Sequence, residues 1–261
     1  MKSFIYLFSL MILFTSCEKV IELDLENTEP TLVIEGNITN QPGPYYVKLT
    51  KTLPFEQTGI YPGVENAQVI ISDNSGISDT LKYIENGIYA TSKLEGKEGS
   101  TYNLVVKSEG KTYEAKSTMP QNVPFEAIRI NKFTFAGEDQ NVVIPIYKDP
   151  TSLGNNYNFI LTVNDTLDNT YLVWNDNTNN GVENQRPLRS NNGNLQSGDQ
   201  VVIEMQSVDM SAYQFYFTLS QIASGGPGGG TTPSNPPNNI SGGALGLFSA
   251  HTTQPRQIVI P

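Results

Sequence analysis

Alternating apolar and polar residues run through most of the chain and predict a protein built mainly of β-strands. In YYVKLTKT (45–52), Tyr45, Val47 and Leu49 share one face of a strand while the residues between them are mostly polar. Asn86-Gly87 lies between two such runs and suits the positive φ angles of a two-residue hairpin turn. Short strands at this spacing predict an Ig-like or transthyretin-like β-sandwich over residues 31–120. The other strand-like runs in this region are 31–39, 67–72, 101–107 and 111–118.

The second half is also rich in strand-like runs, although their spacing is less regular. We place a boundary between Pro120 and Pro124, where two prolines interrupt the strand rhythm. Residues 121–261 are then expected to form a second β-rich domain with one helix. Its strand-like runs are AIRINKFTF (127–135), NVVIPIYK (141–148), YNFILTVN (157–164), TYLVW (170–174), QVVIEMQ (200–206), ALGLFSA (244–250) and RQIVI (256–260).

One stretch changes from strand to helix periodicity. In DMSAYQFYFTLSQIA (209–223), an apolar stripe recurs at helical spacing, and Asp209 or Ser211 can cap the helix start. A buried strand is the competing interpretation. The stripe consists of Ala212, Phe215, Leu219 and Ile222.

Two polar segments of the second half are predicted to be long exposed loops. Residues 175–200 contain almost no core-forming residues, and Gly and Pro dominate residues 224–243. Because long loops often carry binding functions, both segments are candidate contact surfaces.

The N-terminus has the features of an export signal that ends at a lipidated cysteine. Lys2 precedes an apolar run too short to span a bilayer, which takes about 20 residues, and residues 1–16 are therefore predicted to be a signal peptide. The string LFTSC resembles a bacterial lipobox, with Phe14 where Leu is more common. Cys17 is the only cysteine, and we predict that it carries palmitate-type acyl chains, with residues 17–30 as an acidic tether.

Charge and composition exclude several classes of function. The formal net charge is −10, and loss of Lys2 with the signal peptide makes it −11. An acidic chain without a basic run is not expected to bind nucleic acid, where neutralisation of phosphates dominates affinity.

The residue inventory does not support catalysis, a metal site or a cofactor. His251 is the only histidine and is expected at the surface, so no Ser-His or Cys-His pair can be nominated, and zinc would need several such ligands. The glycines of 224–243 lack the Lys that follows a phosphate-binding loop, and the Asn-rich run after Trp174 lacks the acidic residues of a calcium loop. The Asp and Glu residues are scattered singly along the sequence, so no pair of carboxylates is indicated for glycoside hydrolysis.

Two short triplets match a pattern for O-glycosylation in the periplasm. Asp79-Thr80-Leu81 and Asp165-Thr166-Leu167 resemble the Asp-Ser/Thr-apolar sequon used in Bacteroidetes. Thr80 and Thr166 are therefore candidate O-glycosylation sites, although so short a motif also arises by chance.

Several longer motifs together resemble a family of Bacteroidetes outer-membrane lipoproteins labelled as a domain of unknown function. They are LVIEGNIT, PGVENAQVIISDNSG, GSTYNLVV, GKTYEAKSTMP and SNPPNNISGGALGLFSA, behind the lipobox cysteine. Members of that family are often encoded beside TonB-dependent receptors, the gated barrels of the outer membrane. The resemblance implies an accessory role for such a transporter and supplies no catalytic residues.

Three hypotheses remain open at this point. The first is a non-enzymatic lipoprotein anchored in the outer membrane that serves a TonB-dependent receptor, with its surface or periplasmic orientation undecided. The second is a stand-alone glycan- or peptide-binding lipoprotein that uses Trp174 and Tyr171, although Trp174 is better explained as part of a strand core. The third, a hydrolase with an unrecognised site, has no motif in its favour.

Overall fold

A computed structural model describes residues 29–54, 57–135, 137–178, 180–190, 193–224 and 235–261. Within these ranges the chain forms fifteen strands and one helix, which confirms the prediction of a mainly β fold. The strands of the first half are β1 (Leu32–Thr39), β2 (Tyr46–Lys51), β3 (Gln68–Asp73), β4 (Ser78–Thr80), β5 (Lys82–Tyr83), β6 (Ile88–Ala90), β7 (Thr101–Ser108) and β8 (Lys111–Thr118). The second half forms β9 (Ala127–Phe135), β10 (Glu138–Ile146), β11 (Asn156–Val163), β12 (Thr166–Leu167), β13 (Leu172–Asn175), β14 (Gln200–Val208), α1 (Met210–Ser224) and β15 (Leu245–Val259).

Strands β1 to β8 form a two-layer β-sandwich, here called the first sandwich. One layer has the order β5-β6-β2-β1 and the other has the order β4-β3-β7-β8. Alternation in β1 explains the arrangement, because Ile34 and Ile38 are buried while Glu35 and Asn37 are exposed. The inner faces of the two layers enclose one apolar core.

The hairpin predicted around Asn86-Gly87 is confirmed, with one difference. Asn86 and Gly87 have φ angles of 49° and 79°, and β5 pairs with β6 across this turn. The run before the turn, TLKYI (80–84), has the composition of one strand but does not form one. It divides at the buried Leu81, so that Thr80 belongs to β4 in one layer and the following residues form β5 in the other.

The second half forms another layered β-structure, here called the second module. Strands β11 to β14 and the end of β15 make one sheet, and the β9–β10 hairpin is the other layer. Phe159, Ile203 and Val143 are central members of its apolar core.

The prediction of a long loop between β13 and β14 agrees with the described residues of this segment, which form no regular strand or helix, but the segment is not exposed throughout. Leu188 and Leu195 of this segment are buried in the core of the second module, and both pair with β10 through isolated bridges. Asp176 and Asn184 are buried as well. The segment therefore covers the second module like an irregular extra strand, because two leucines at wide spacing are enough to fix a polar stretch.

Strand β15 joins the two halves. The sequence predicts two strands, 244–250 and 256–260, but the structure has one strand of 15 residues. Its first part pairs in parallel with β1, from Leu245 to His251, and its second part pairs antiparallel with β14, from Thr252 to Val259. Phe248 and Ala250 consequently belong to the core of the first sandwich.

The linker between the halves is held against β15. The side chain of Gln254 accepts a hydrogen bond from the Phe125 amide at 3.1 Å and donates to the Val123 carbonyl at 2.7 Å. The Arg256 guanidinium lies 5.9 Å from the centre of the Phe125 ring and donates to the Phe125 carbonyl. Both halves therefore contact the same strand and the same linker.

The predicted helix is confirmed as α1, and Asp209 is its N-cap. The Asp209 carboxylate accepts a hydrogen bond from the Ala212 amide at 2.9 Å, and its other oxygen accepts one from Ser117 of β8 at 2.6 Å. Ala212 is the buried member of the predicted stripe, whereas Ile222 is exposed. Among the residues described, no helix is both long enough and apolar enough to span a membrane.

Candidate functional site

Cys17 and much of the Gly/Pro-rich segment lie outside the described residues, but the end of that segment is well defined. Ile240 is buried in the core of the first sandwich. Asn239 donates a hydrogen bond to the Phe248 carbonyl at 2.7 Å and accepts one from the Phe248 amide at 3.1 Å. Residues 235–243 are thus mostly exposed and irregular, as the sequence predicts, but Asn239 and Ile240 fix this part of the segment to the first sandwich.

The two candidate O-glycosylation residues are both exposed, but their neighbouring aspartates differ. The buried Asp79 carboxylate accepts hydrogen bonds from Ser92, Lys93 and Leu94. Burial raises the pKa of Asp79, but the hydrogen bonds from these residues outweigh that effect and hold the pKa below its usual value.

Asp79 is therefore a structural residue that organises the 92–94 turn, and its side chain is inaccessible to a modifying enzyme. Asp165 and Thr166 are both exposed at the turn between β11 and β12, and Thr80 is exposed in β4. Modification of Thr80 and Thr166 stays a prediction, and Thr166 has the more accessible motif.

The expectation that His251 is a surface residue is wrong. Its exposed fraction is 5%, and its Nδ1 lies 3.0 Å from the Oγ of Ser249, which is 1% exposed. Burial lowers the pKa of His251 to about 4, although the carboxylates of Glu204 and Asp209 act in the opposite direction. A neutral imidazole and a hydroxyl this deeply buried cannot reach a substrate.

Two buried carboxylates of the second module are occupied by structural hydrogen bonds. Asp176 accepts hydrogen bonds from the amides of Gly154 at 2.7 Å and Asn155 at 3.0 Å, and Asp149 accepts from the Tyr157 hydroxyl. Burial, together with the Asp149 contact, raises the pKa of Tyr157. In the part of the chain that the structure describes, no group of three or more His, Cys, Asp or Glu residues is placed to hold a metal ion.

Trp174 and Tyr171 do not form the shared aromatic surface proposed from the sequence. Trp174 packs on Phe159 with ring centres 4.5 Å apart and donates a hydrogen bond to the Tyr147 hydroxyl at 2.7 Å. The interpretation of Trp174 as a core residue is therefore confirmed. Tyr171 is partly exposed and lines a groove instead.

This groove, of about 400 Å³, lies between α1 and the outer face of β1 and β15, and we call it the α1 groove. Its helix wall is aromatic and aliphatic, while its strand floor mixes apolar residues with Glu35 and Asn37. The groove exists because α1 lies over the sheet without closing on it. Its lining includes Val33, Tyr171, Phe215, Tyr216, Leu219 and Leu247, with Asn235 and Asn238 at one rim.

A second depression continues the α1 groove across the same sheet face. It has a volume of about 600 Å³ and shares Glu35 and Asn37 with the α1 groove. Its far side is lined by Tyr46, Ile84 and Lys48. The side chains of Tyr46 and Ile84 are about half exposed. Together the two depressions form an open surface that crosses β1 and β2.

The Tyr216 hydroxyl is the most perturbed titratable group lining the groove. Burial, with smaller contributions from the neighbouring Tyr171, Glu35 and Glu204, raises the pKa of Tyr216 to about 12. Tyr216 therefore stays protonated near neutral pH and can donate a hydrogen bond into the groove.

The sequence predicted part of the groove. Phe215 and Leu219 were expected in the apolar stripe of the helix, Tyr171 was proposed as a binding aromatic, and the segment 224–243, which supplies Asn235 and Asn238, was a candidate contact surface. Tyr216, Glu35 and Asn37 were not predicted. The available signal was the polar face of β1, since Glu35 and Asn37 lie on the side of the strand opposite the core. Nothing local indicated that a helix 180 residues later would cover this face.

Comparison with known proteins identifies a family and no function. The family model described as a domain of unknown function (DUF4249) matches residues 18–257. No curated protein matches the chain. Among solved structures, a two-domain fibronectin type-III segment of chicken tenascin is 14% identical, covers 69% of this chain and 92% of its own length, and superposes with a TM-score of 0.24. A TM-score this low supports no conclusion about fold or function.

Proposed function

Since the chain belongs to the DUF4249 family, we propose that it is a non-enzymatic lipoprotein of the outer membrane that serves as an accessory component of a TonB-dependent transporter. The observation that carries the binding role is the α1 groove with its neighbouring depression, an open surface lined by aromatic, aliphatic and amide side chains. The burial of His251 favours a binding role over hydrolysis, because a substrate cannot reach the only imidazole in the sequence.

The anchor in this proposal is Cys17. One acyl chain gives marginal membrane binding, whereas two or more chains, at about 0.8 kcal/mol for each buried CH₂, hold a protein firmly. Anchoring would confine the protein to the membrane surface and raise its effective concentration beside a barrel.

The test is affinity purification of a C-terminally tagged full-length chain from gently solubilised native outer membranes. We expect a TonB-dependent barrel in near-equal amount, identified by mass spectrometry. The Cys17→Ala chain is the control, and it should leave the membrane fraction and lose the barrel. Purification of the lipoprotein alone, or retention of the Cys17→Ala chain in the membrane, would contradict the proposal.

The second candidate is a stand-alone lipoprotein that binds glycans or peptides. It is favoured by the chemistry of the α1 groove, where the Tyr171 and Tyr216 rings can stack on a sugar while Asn37, Asn235 and Glu35 bond its hydroxyl groups. A glycan array distinguishes the candidates. Binding of a neutral oligosaccharide that Tyr171→Ala abolishes, and Tyr61→Ala outside the groove preserves, would favour this second function.

A further inference from the structure

A pocket of about 230 Å³ lies between β10 and the segment 175–200, and it shares no residue with the α1 groove. Two bridges hold this segment to β10. Leu188 pairs with Val143 of the strand, and Leu195 pairs with Asn141. Both leucines are buried in the core of the second module, so packed side chains keep the pocket in place. We call it the Arg189 pocket, and its lining includes Phe133, Gln140, Asn141, Arg189 and Asn194.

The positive charge of this pocket is the Arg189 guanidinium, which packs on an aromatic ring. Its central carbon lies 4.4 Å from the centre of the Phe133 ring, and attraction between the cation and the ring holds the planar group. Among the side chains that the structure describes, no carboxylate forms an ion pair with Arg189. By contrast, the guanidinium of Arg129 on β9 lies 3.2 Å from the Glu183 carboxylate. The N–H donors of Arg189 are therefore placed to bind an anion from outside the chain.

Amide side chains supply further polar groups of the lining. Gln140 pairs directly with Phe133, so the two side chains project from the same face of the β9–β10 hairpin. The Asn141 amide donates a hydrogen bond to the Leu195 carbonyl at 3.0 Å, which orients it and leaves its oxygen as an acceptor. Asn194 adds a third amide and is exposed. Because an amide both donates and accepts hydrogen bonds, this set of groups matches the hydroxyl groups of a sugar.

We propose that the Arg189 pocket binds a carboxylate-bearing sugar, such as the terminal hexuronate of a glycan. One guanidinium balances the charge of one carboxylate and can bind it through two parallel hydrogen bonds. The volume is below the range of about 300–1,000 Å³ that encloses drug-sized ligands, so the pocket takes a single sugar residue. This site is separate from the α1 groove and does not depend on the transporter assignment.

A phosphate group or an extended peptide fits the pocket less well than an acidic sugar. A phosphate monoester carries nearly two negative charges near neutral pH, whereas the described lining offers one cation in a chain whose net charge is −10. An extended peptide is usually bound along the free edge of a strand. Beside the pocket both edges of β10 are already paired, one with β9 and the other through the bridges of Leu188 and Leu195.

The test is calorimetric titration of the full-length protein, in a neutral detergent, with sodium glucuronate. Glucose is the probe with the same ring and no carboxylate, acetate is the carboxylate without a ring, and inorganic phosphate is the alternative anion. We expect glucuronate to bind at least about tenfold more tightly than each of the other three, because only glucuronate can engage the guanidinium and the amides together.

Three substitutions assign the binding to the pocket. Arg189→Gln removes the cation at an exposed residue and should weaken glucuronate binding at least about tenfold. Arg129→Gln is the matched control, because Glu183 already neutralises that guanidinium, and it should leave the affinity within about twofold. Asn194→Asp keeps Arg189 but adds a carboxylate that repels the ligand, so it should also weaken binding about tenfold, and it tests the site even if Arg189→Gln disturbs the fold.

Each outcome decides for or against the site. A preference for glucuronate that Arg189→Gln and Asn194→Asp both remove, and that Arg129→Gln keeps, supports it. Absence of glucuronate binding, or binding that survives both Arg189→Gln and Asn194→Asp, overturns it. Acetate that binds as tightly as glucuronate would show that no sugar ring is recognised, and phosphate that binds as tightly would show a general anion site. Either of these two results overturns the assignment to an acidic sugar.

Discussion

His251 lies at the point where β15 changes partners, between its pairing with Thr39 of β1 and the pairing of Thr252 with Ser207 of β14. The imidazole is buried at this position, so it stays neutral in the folded protein near pH 7. The lowered pKa is the physical sign of that enclosure. A residue that the sequence placed at the surface is thus buried where the two halves meet.

The titration of His251 predicts how stability depends on pH. Its pKa is 6.5 when unfolded and about 4 when folded, so the unfolded chain binds the proton more tightly. The contribution of neutral His251 is complete above pH 6.5 and is lost as the pH falls towards 4, by about 3 kcal/mol. Urea unfolding at pH 7 and 4.5 should show this loss in the natural protein but not in His251→Asn. Parallel losses in the two proteins would contradict the prediction, because carboxylates such as Asp79 are common to both.

Segment 175–200 shows that two leucines can decide the structure of a polar element. Leu188 is 1% exposed and Leu195 is 6% exposed, and both sit against β10. The buried Asn184 adds a hydrogen bond of 2.8 Å from its amide to the Pro145 carbonyl. These contacts turn a stretch with loop composition into a cover for the core.

Removal of one of these leucines tests the role of the segment. Leu188→Ala should lower the free energy of unfolding by about 3 kcal/mol, through lost burial and the cavity left behind. Val182→Ala, at an exposed residue of the same segment, should change it by less than about 0.5 kcal/mol. Equal effects in chemical denaturation would show that the segment does not cover the core.

Local patterns predicted the elements well and their partners poorly. Asp209 could be predicted as a helix cap because the residue and the amide that it caps lie within three positions of each other. The alternation of apolar and polar residues in β1 could be predicted equally well. The burial of Ile240 and Leu188 was not predictable, because each is an isolated apolar residue among polar ones and its core lies far away in sequence. The α1 groove depends on such distant pairing, which explains why the sequence predicted only part of it.

In the whole molecule, β15 belongs to both halves and joins them into one structural unit. It supplies an edge to the first sandwich and a strand to the second module, and it holds the linker through Gln254 and Arg256. Asp209 adds a contact between β8 and α1. We therefore expect the two halves to unfold together.

A substitution at Gly246 tests whether the two halves unfold together. It has a φ of 110°, and a Cβ at this position would lie 2.1 Å from the Ile34 carbonyl oxygen of β1. Gly246→Ala should therefore lower stability by more than about 2 kcal/mol and shift a single calorimetric transition. Gly243→Ala is the control, since Gly243 has a φ of 85° but open space around its Cβ position. Two resolved transitions, only one of them shifted, would contradict a single unit.

The shared strand also has a consequence for the order of events when the protein is made. The first sandwich needs Phe248 and Ala250 for its core and β15 for its edge, and these residues follow β1 only after all the other strands of the second module in the sequence. A ribosome or an export channel that releases the chain from its N-terminus delivers β1 long before its partner. The N-terminal half must wait, with an unpaired edge and an incomplete core, until β15 has emerged. We expect the nascent protein to depend on chaperones that cover exposed strands during this interval, and the first sandwich to reach its folded state only after β15 has paired with β1.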